Sequence, residues 1–474
     1  ATRAGASASG ATAAQGVLLR NEAPGPTGLP RFVDATAAAG LAGGGAGLSA
    51  TWGDYNSDGW QDLHVGIDGD APDHLFHNQG DGSVADVAAV VIPSSPWSTR
   101  GTAVADIDGD GRDDLFCSGV AYPNRAQRMT APDPTLGRGT ELTRIKPRQL
   151  PRNHLLLNTG LNRFTEAAHL AGLTRTGWSW GAVFADFDLD GLPDLFVTNG
   201  VERPSSGQGG QPTDAAFRNS GRLRFEPADW GLDVEAVSHS LCHADLDGDG
   251  DIDLVVHHLD APPTVYRNDG AQNRRVVVRV IGDKRNGSGV GARVRVETDR
   301  GVQEQTVRRS SGFQTASGPE LVFGLGAAEK VGVLRVEWPD GRSQEFKDLD
   351  VDQLFTVRAG PSARRAAAPL ASPQPRFARP VVLAGVAHRE RFFHDFAVQA
   401  LLPRPLSQEG PAFAIADIDN DADPDLFLGG SCGNVATLLR NDGGGQFSRL
   451  DDLALVRDAQ HEDCAAAFLD ADGD

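Results

Sequence analysis

Asp54-Tyr55-Asn56-Ser57-Asp58-Gly59-Trp60-Gln61-Asp62 sets an acid or amide at its first, third, fifth and ninth positions and a glycine at its sixth. The phrase returns as Asp106 to Asp114 (DIDGDGRDD), Asp186 to Asp194 (DFDLDGLPD), Asp245 to Asp253 (DLDGDGDID) and Asp417 to Asp425 (DIDNDADPD). A sixth copy begins at Asp470, passes Asp472 and reaches Asp474. Oxygen donors at positions 1, 3 and 5 of a tight loop converge on one point, position 7 can turn its carbonyl inward, and position 9 adds a carboxylate. Six or seven hard oxygens suit Ca²⁺ and not a metal that prefers sulfur or nitrogen. Glycine at position 6 permits the backbone turn that wraps an ion. A single such phrase is also an ordinary acidic turn; five in register are a repeat, which has to be read before any local signal.

The candidate metal ligands follow by position. They are Asp54, Asn56, Asp58, Trp60 and Asp62 in the first loop, and Asp106, Asp108, Asp110, Arg112 and Asp114 in the second. The third offers Asp186, Asp188, Asp190, Leu192 and Asp194, and the fourth Asp245, Asp247, Asp249, Asp251 and Asp253. The fifth offers Asp417, Asp419, Asp421, Asp423 and Asp425, and the incomplete one Asp470, Asp472 and Asp474. Trp60, Arg112, Leu192, Asp251 and Asp423 stand at position 7 and would contribute through their carbonyls. About five structural Ca²⁺ sites are expected.

An EF-hand needs a bidentate Glu at position 12. That position here holds Val65, Cys117, Val197, Val256 and Leu428, all apolar. Each loop sits between two short apolar stretches, such as Ala182-Val183-Phe184-Ala185 before the third and Leu195-Phe196-Val197 after it. The pattern is continuous rather than alternating, which marks buried strands joined by the ion-binding turn. A second phrase recurs downstream: His74 to Asn78, His154 to Asn158, Ala216 to Asn219, Val265 to Asn268 and Leu438 to Asn441 each lead into a glycine-rich turn. These read as the outer hairpin of a four-stranded unit. Several loop starts lie roughly 50 to 60 residues apart, the length of one β-propeller blade.

On these residues the chain resembles the FG-GAP repeats, also called VCBS repeats, of integrin-α-type β-propellers. The resemblance runs from about residue 31 to 272 and from 381 to 474, and implies an all-β fold of calcium-binding blades. Between them, residues 273–360 lose the acidic loops and alternate: Leu334, Val336 and Trp338 share one face, Arg335 and Glu337 the other. Gly291-Ala292-Arg293-Val294, Ser311-Gly312-Phe313, Phe323-Gly324-Leu325-Gly326 and Val336 to Gly341 resemble the ASPIC/UnbV domain that follows FG-GAP repeats in CRTAC-type secreted proteins. This implies an inserted or appended β-sandwich-like module. Residues 361–380 (PSARRAAAPLASPQPRFARP) read as a Pro/Ala-rich linker. Residues 381–474 read as the start of a second, truncated propeller, with closure of the first ring as the alternative. Residues 1–30, rich in Ala, Gly and Ser, and the insert at 122–151 read as loop or disorder.

The whole chain bounds its partners. It has 474 residues, a formal charge of −20 and 40% hydrophobic residues, enough to bury cores. Its acidity, without a clustered basic stripe, argues against nucleic acid. No apolar run is long enough to span a membrane. Weak calcium loops fill in the millimolar calcium outside cells and stay empty in a cytosol, which points to a secreted or cell-surface protein, the bacterial periplasm or outer surface included.

Catalytic signals are thin. Gly429 to Gly433 (GGSCG) matches GxSxG, but a strand is expected after it where a nucleophile elbow needs a helix. The histidines show no paired-ligand spacing, and His257 and His258 are expected at the solvent side of a strand end. Cys117 and Cys242 are expected as buried thiols, and Cys432 and Cys464, flanking successive blades, as a candidate pair. Trp52, Trp178 and Trp180 read as core ahead of carbohydrate stacking. The first function reading is a Ca²⁺-stabilised adhesion or ligand-binding protein taking an extracellular protein or glycan. The second is a propeller enzyme with lyase or cyclisation chemistry in a central funnel, for which His, Tyr, Arg or Lys gathered there from several blades would be the sign.

Overall fold

In the computed structural model the repeats become blades. The structure describes residues 16–22, 31–41, 45–69, 71–121, 146–200, 213–232, 234–270, 272–283, 286–360, 365–369, 381–382, 386, 388, 412–419, 421, 423–443, 446–451, 453–461, 463 and 466–468. Blade I consists of Ala46–Gly53, Asp62–Asp68, His74–Asn78 and Val84–Asp86, each strand antiparallel to the next. Blade II is Thr102–Ala105, Asp114–Cys117, His154–Asn158 and Phe164–Glu166, and blade III is Gly177–Ala185, Asp194–Asn199, Ala215–Asn219 and Phe225–Pro227. Ser238–Ala244, Asp253–His258 and Thr264–Tyr266 make three strands of blade IV, and Phe413–Ala416, Asp425–Leu428, Thr437–Asn441 and Phe447–Leu450 make blade V.

The continuous hydrophobicity of the second strands has its cause in blade stacking, because each blade is covered on both faces. All six residues of Asp194–Asn199 are buried. Separate apolar clusters fill successive seams. Tyr55, Leu75, Leu115 and Phe164 lie between blades I and II, and Phe116, Leu155, Phe184 and Val197 between II and III. Phe196, Leu241 and Leu254 lie between III and IV, and Cys242, Val255, Phe413 and Leu426 between IV and V. At roughly 25 cal/mol per Å² of apolar surface removed from water, these seams stabilise the stacking of each blade on the next.

This stacking corrects the expectation of a second, separate propeller. Blade V packs directly on blade IV. Val381–Val382 also crosses back to pair with Thr264 and Val265 as the fourth strand of blade IV. Thr315–Ala316, from the intervening region, pairs in parallel with Phe413 and Ala414 at the inner edge of blade V. Blades that take one strand from within the insert and one from beyond it are not independent of the first array.

The insert itself is a two-sheet sandwich. One sheet is ordered Leu321–Gly326, Arg274–Ile281, Gln353–Arg358, Arg365–Pro369, and the other Gly301–Thr306, Arg293–Thr298, Lys330–Glu337, Ser343–Asp350. Val276, Val278, Val294, Val296, Leu334, Val336, Trp338 and Phe355 form its core, as the alternation in the sequence requires. Arg365–Pro369 belongs to this sheet, so the Pro/Ala-rich stretch is not wholly linker.

Two segments expected as loop are partly strand. Leu19–Glu22 pairs with Arg31–Asp34, and Arg148–Leu150 runs parallel to Ser94–Pro96. Leu18-Leu19-Arg20-Asn21 has the outer-hairpin phrasing of Leu155 to Asn158, concealed by the low-complexity residues before it. Arg148–Leu150 is held by Gln149, whose side-chain amide donates to the carbonyls of Gly69 (2.9 Å) and Ala71 (2.8 Å).

Candidate metal centre and the face above it

Every loop is organised by its first aspartate. Asp54 accepts from the backbone N–H groups of Asp58 and Gly59 at 3.0 Å each, Asp106 from Asp110 (3.0 Å) and Gly111 (2.8 Å), and Asp186 from Asp190 (3.0 Å) and Gly191 (2.8 Å). Asp245 accepts from Gly248 (2.8 Å) and Gly250 (2.9 Å). Gly59, Gly111, Gly191 and Gly250 have φ of 88°, 81°, 95° and 91°, the left-handed region in which a side chain is strained. Position 5 accepts from the N–H of position 7, as with Asp58 and Trp60 (2.8 Å) or Asp110 and Arg112 (3.0 Å).

Position 9 acts as a buttress as well as an acid. Asp114 accepts from Ile107 N (3.0 Å) and Asn158 N (2.7 Å), and Asp253 from Leu246 N (2.8 Å) and Asn268 N (2.7 Å). Asp62, Asp194 and Asp425 repeat the pattern with Asn78, Asn219 and Asn441. The asparagine that ends each third strand, or in blade IV stands two residues beyond it, is thereby tied to its own loop.

Carboxylate oxygens of Asp106, Asp108 and Asp114 lie within 4.8 Å of one another, and so do those of Asp186, Asp188 and Asp194, and of Asp245, Asp247 and Asp253. Two oxygens on opposite sides of a Ca²⁺ stand about 4.8 Å apart, so these cages have the right span. In loop I, position 3 is the amide of Asn56, which donates to Asp58 at 2.7 Å. Asp470, Asp472 and Asp474 lie outside the described residues.

Electrostatics mark the crowding. Burial, reinforced by neighbouring aspartates, pushes Asp114, Asp194 and Asp245 up to about 8, and Asp106 and Asp247 up to about 6. Asp186 and Asp253 rise well above the ordinary carboxyl range for the same reasons. Asp58 goes the other way: burial raises it, but hydrogen bonds from Asn56, Trp60 and His77 bring it below the usual value. Loop IV, like loop V, carries five aspartates. Asp251 is buried, pushed up to about 11, and neither of its carboxylate oxygens has a hydrogen-bond partner. Asp247 Oδ1 is likewise buried without one. Buried carboxylates without donors fit a site that a hard cation completes.

Two kinds of residue at these loops escaped the sequence reading. In blades I, III and IV the residue before the third-strand asparagine reaches the loop: His77 to Asp58 (3.4 Å), Arg218 to Asp188 (2.6 Å) and Asp190 (2.8 Å), Arg267 to Asp247 (3.7 Å). The recurring His-Asn and Arg-Asn pairs carried that signal. Asp269 is the other; it groups with Asp247 and Asp249 within 4.8 Å and accepts from Arg267 at 2.7 Å.

The sandwich docks on the outer side of these loops through their backbone. Asn273 donates to Asp188 O (2.9 Å), Arg275 to Asp249 O (3.0 Å), Arg293 to Gly111 O (3.3 Å), and Gly326 N to Leu189 O (3.0 Å). Arg308 pairs with Asp113 and donates to Trp52 O (3.3 Å). A side chain in place of Gly324 would run into Asp186 and Leu189, so the module and loop III are in backbone contact. A cavity of about 330 Å³ remains along this seam, lined among others by Asp106, Asp186, Gln303, Arg309 and Glu320.

The other singled-out residues fall elsewhere. His257 and His258 are buried, at 0% and 2% exposure, because the strand Asp253–His258 continues through both and is buried along its whole length. His257 packs edge-on to His388 with ring centroids 5.8 Å apart, and burial lowers it well below the ordinary histidine range. Trp180 is buried and stacks on His239 at 4.2 Å, with the Arg100 guanidinium 3.9 Å above it. Arg100, Trp180 and His239 each stand six residues before a loop's first aspartate, so equal repeat positions in blades II, III and IV meet. Trp52 instead is 36% exposed at its strand. Ser431 is buried in a turn followed by Thr437–Asn441, a strand. Cys117 and Cys242 are buried free thiols; Cys432 is an exposed free thiol donating to Gln460 O at 3.3 Å, and its candidate partner Cys464 lies outside the described residues.

Comparison with known proteins agrees with this build. A family profile described as FG-GAP-like repeat matches residues 54–117 and 148–197, and one described as ASPIC and UnbV matches residues 282–364. Cartilage acidic protein 1 of Homo sapiens is 29% identical over 57% of this chain and 38% of its own length. The Mus musculus protein of the same name is 28% identical over 66% of this chain and 45% of its own. The chain thus spans less than half the length of these curated relatives. A solved structure of an Agrocybe aegerita lectin with specific recognition of non-reducing terminal N-acetylglucosamine overlays at a TM-score of 0.30 and 15% identity, covering 85% of this chain and 79% of that one, a likeness that carries no argument. In its FG-GAP-like β-propeller blades joined to an ASPIC/UnbV domain, and in its relatives, the chain is similar to the CRTAC-like proteins.

Proposed function

We propose that the chain is a calcium-stabilised binding protein of the extracellular or adhesion type, in which Ca²⁺ is structural. The observation that carries this reading is the carboxylate cage repeated from loop to loop, with Asp106, Asp108 and Asp114 as its pattern. Crowded, half-buried carboxylates without a cation repel one another; one divalent ion per loop offsets the repulsion and fixes the backbone that the ASPIC/UnbV domain grips. Five such ions would halve the formal charge of −20.

The secreted or cell-surface placement rests on the same loops and on the cartilage acidic protein relatives. Among the described residues no helix is long and apolar enough to cross a membrane. The ligand is proposed to be an extracellular protein or glycan. The gathered Arg100, His239, His257 and His388 speak less for catalysis than their types suggest, since all are 4% exposed or less and pack on aromatic rings.

Calorimetric titration of Ca²⁺ into chelator-stripped, folded protein tests the reading, with a stoichiometry near five expected. Absence of saturable Ca²⁺ binding would refute it. A glycan and protein array probed in calcium and again in EDTA would identify the ligand class.

A further inference from the structure

Blades I and II depart from the repeat in two places, and both departures meet. Two residues past the ninth loop position, blades II, III, IV and V carry Phe116, Phe196, Val255 and Phe427, whereas blade I carries His64. One residue further, blades I, III, IV and V carry Val65, Val197, Val256 and Leu428, whereas blade II carries Cys117. His64 and Cys117 are 0% exposed, and with them lies Asp73, 1% exposed. One ligand atom from each of the three falls within 4.8 Å of the other two.

The local chemistry is that of an incomplete coordination shell. His64 Nδ1 stands 3.4 Å from the Thr102 hydroxyl, while its Nε2 is buried with no hydrogen-bond partner. That Nε2 faces Asp73 Oδ2 at 3.7 Å, too far for a hydrogen bond. Donors around a tetrahedral ion with bonds near 2.0 to 2.3 Å stand about 3.3 to 3.6 Å apart. Asp73 is already oriented, accepting from Ile67 N (3.0 Å) and the Thr99 hydroxyl (2.7 Å), each leaving a further lone pair. In blade III the equivalent Asp214 makes the same two kinds of bond, to Asn199 N (2.8 Å) and Ser238 (2.9 Å); the nearby His258 bonds the Ser238 hydroxyl (3.0 Å), and no cysteine stands at the position of Cys117 in the adjoining blade IV, which carries Val256. The buttress is therefore common to the repeat, and the combination of nitrogen and sulfur donors is special to this seam.

We infer that His64, Asp73 and Cys117 bind one borderline-soft divalent ion, zinc by donor type, between blades I and II. It is distinct from the oxygen-only loops, because imidazole and thiolate select against Ca²⁺. Binding releases the thiol proton to solvent and leaves Cys117 as thiolate. Since all three ligands are buried, the ion enters as the blades assemble.

The test is metal content in protein expressed in zinc-supplemented medium and purified in Ca²⁺ and reductant, with cobalt-grown protein in parallel. The variants are His64→Phe and Cys117→Val, which restore residues the repeat itself uses at those positions and so suit the fold. Native mass spectrometry and elemental analysis should find about one zinc per wild-type chain, and the cobalt protein should show a thiolate charge-transfer band. Each folded variant should lose at least about nine-tenths of both signals while keeping its Ca²⁺-dependent melting. Metal-free wild type, or a band that survives Cys117→Val, would overturn the assignment and leave a buried His–Asp pair with a neighbouring thiol.

Discussion

The side-chain amide of Asn268 in blade IV donates to the backbone carbonyl of Phe187, 2.9 Å away in the acidic loop of blade III. Asn158 does the same to Tyr55 across blades II and I (2.8 Å), and Asn441 to Leu246 across blades V and IV (3.1 Å). In each case the accepting residue is the second of its loop, and the donor's own N–H is held by its own loop's ninth-position aspartate. One asparagine thus joins two loops. On the proposed reading, an ion that pins one loop would in this way be felt by the next blade's loop.

Asn268→Ala removes that latch and leaves the Phe187 carbonyl buried without its donor. A loss of about 1–3 kcal/mol is expected, read as a lower urea midpoint in calcium with an unchanged slope. An unshifted midpoint would show that the latch contributes nothing.

The ninth and third loop positions should behave differently. Asp114→Asn exchanges a carboxylate that accepts from Ile107 and Asn158 for an amide that can accept on one side only, so stability should fall by about 1–3 kcal/mol with or without calcium. Asp108 is more exposed, and burial with the neighbouring Asp110 raises it. Asp108→Asn should therefore leave the EDTA melting temperature equal or higher and shrink the rise on adding Ca²⁺. Equal losses from both substitutions in EDTA would contradict this division.

Calcium-free protein should lose stability as pH rises. Asp106 and Asp247 are raised from 3.8 to about 6, and Asp114, Asp194 and Asp245 to about 8, so the folded state holds more protons than the unfolded chain between about pH 4 and 8. The contribution of a raised carboxyl is complete below its unfolded value and is lost on passing its folded one. Melting in EDTA should give a lower temperature at pH 8 than at pH 5.5, and calcium should remove or reverse the trend. A rise with pH in EDTA would count against the crowded-cage account.

The ASPIC/UnbV domain should be coupled to the loops it grips. Arg275, 2% exposed, donates to Asp249 O, so Arg275→Met strands a buried carbonyl beside the acidic Asp251. Calorimetry in calcium should show one main transition for wild type and a separated, earlier one for the variant. An unsplit transition at the wild-type temperature would place the coupling elsewhere.

The loops and blades were legible because their signal is periodic: Asp54 and Asp245 announce themselves at fixed spacing, and Leu195-Phe196-Val197 says that both faces are covered. What the sequence concealed was contact between distant repeats. Nothing local in Val381-Val382 tells that it completes blade IV, since two residues have no period, and the pairing with Thr264 and Val265 is a tertiary event. His257 and His258 read as exposed because they stand at the end of a strand. Their burial follows from the strand running inward past position 9, a position that Ser118 and Thr198 fill in blades II and III, donating to Trp180 O (2.7 Å) and His239 O (2.6 Å). Aligning the repeats by loop position, rather than reading each residue type alone, would have placed His257 inside.

The central claim is that calcium holds the blades, and thermal melting of the same preparation in millimolar Ca²⁺ and in EDTA tests it most directly. Linkage adds about 2.7 kcal/mol for each site at a hundredfold excess over its dissociation constant, so several loops together should move the transition by many degrees and make it climb with calcium concentration. Superimposed melting curves in calcium and EDTA would contradict the account.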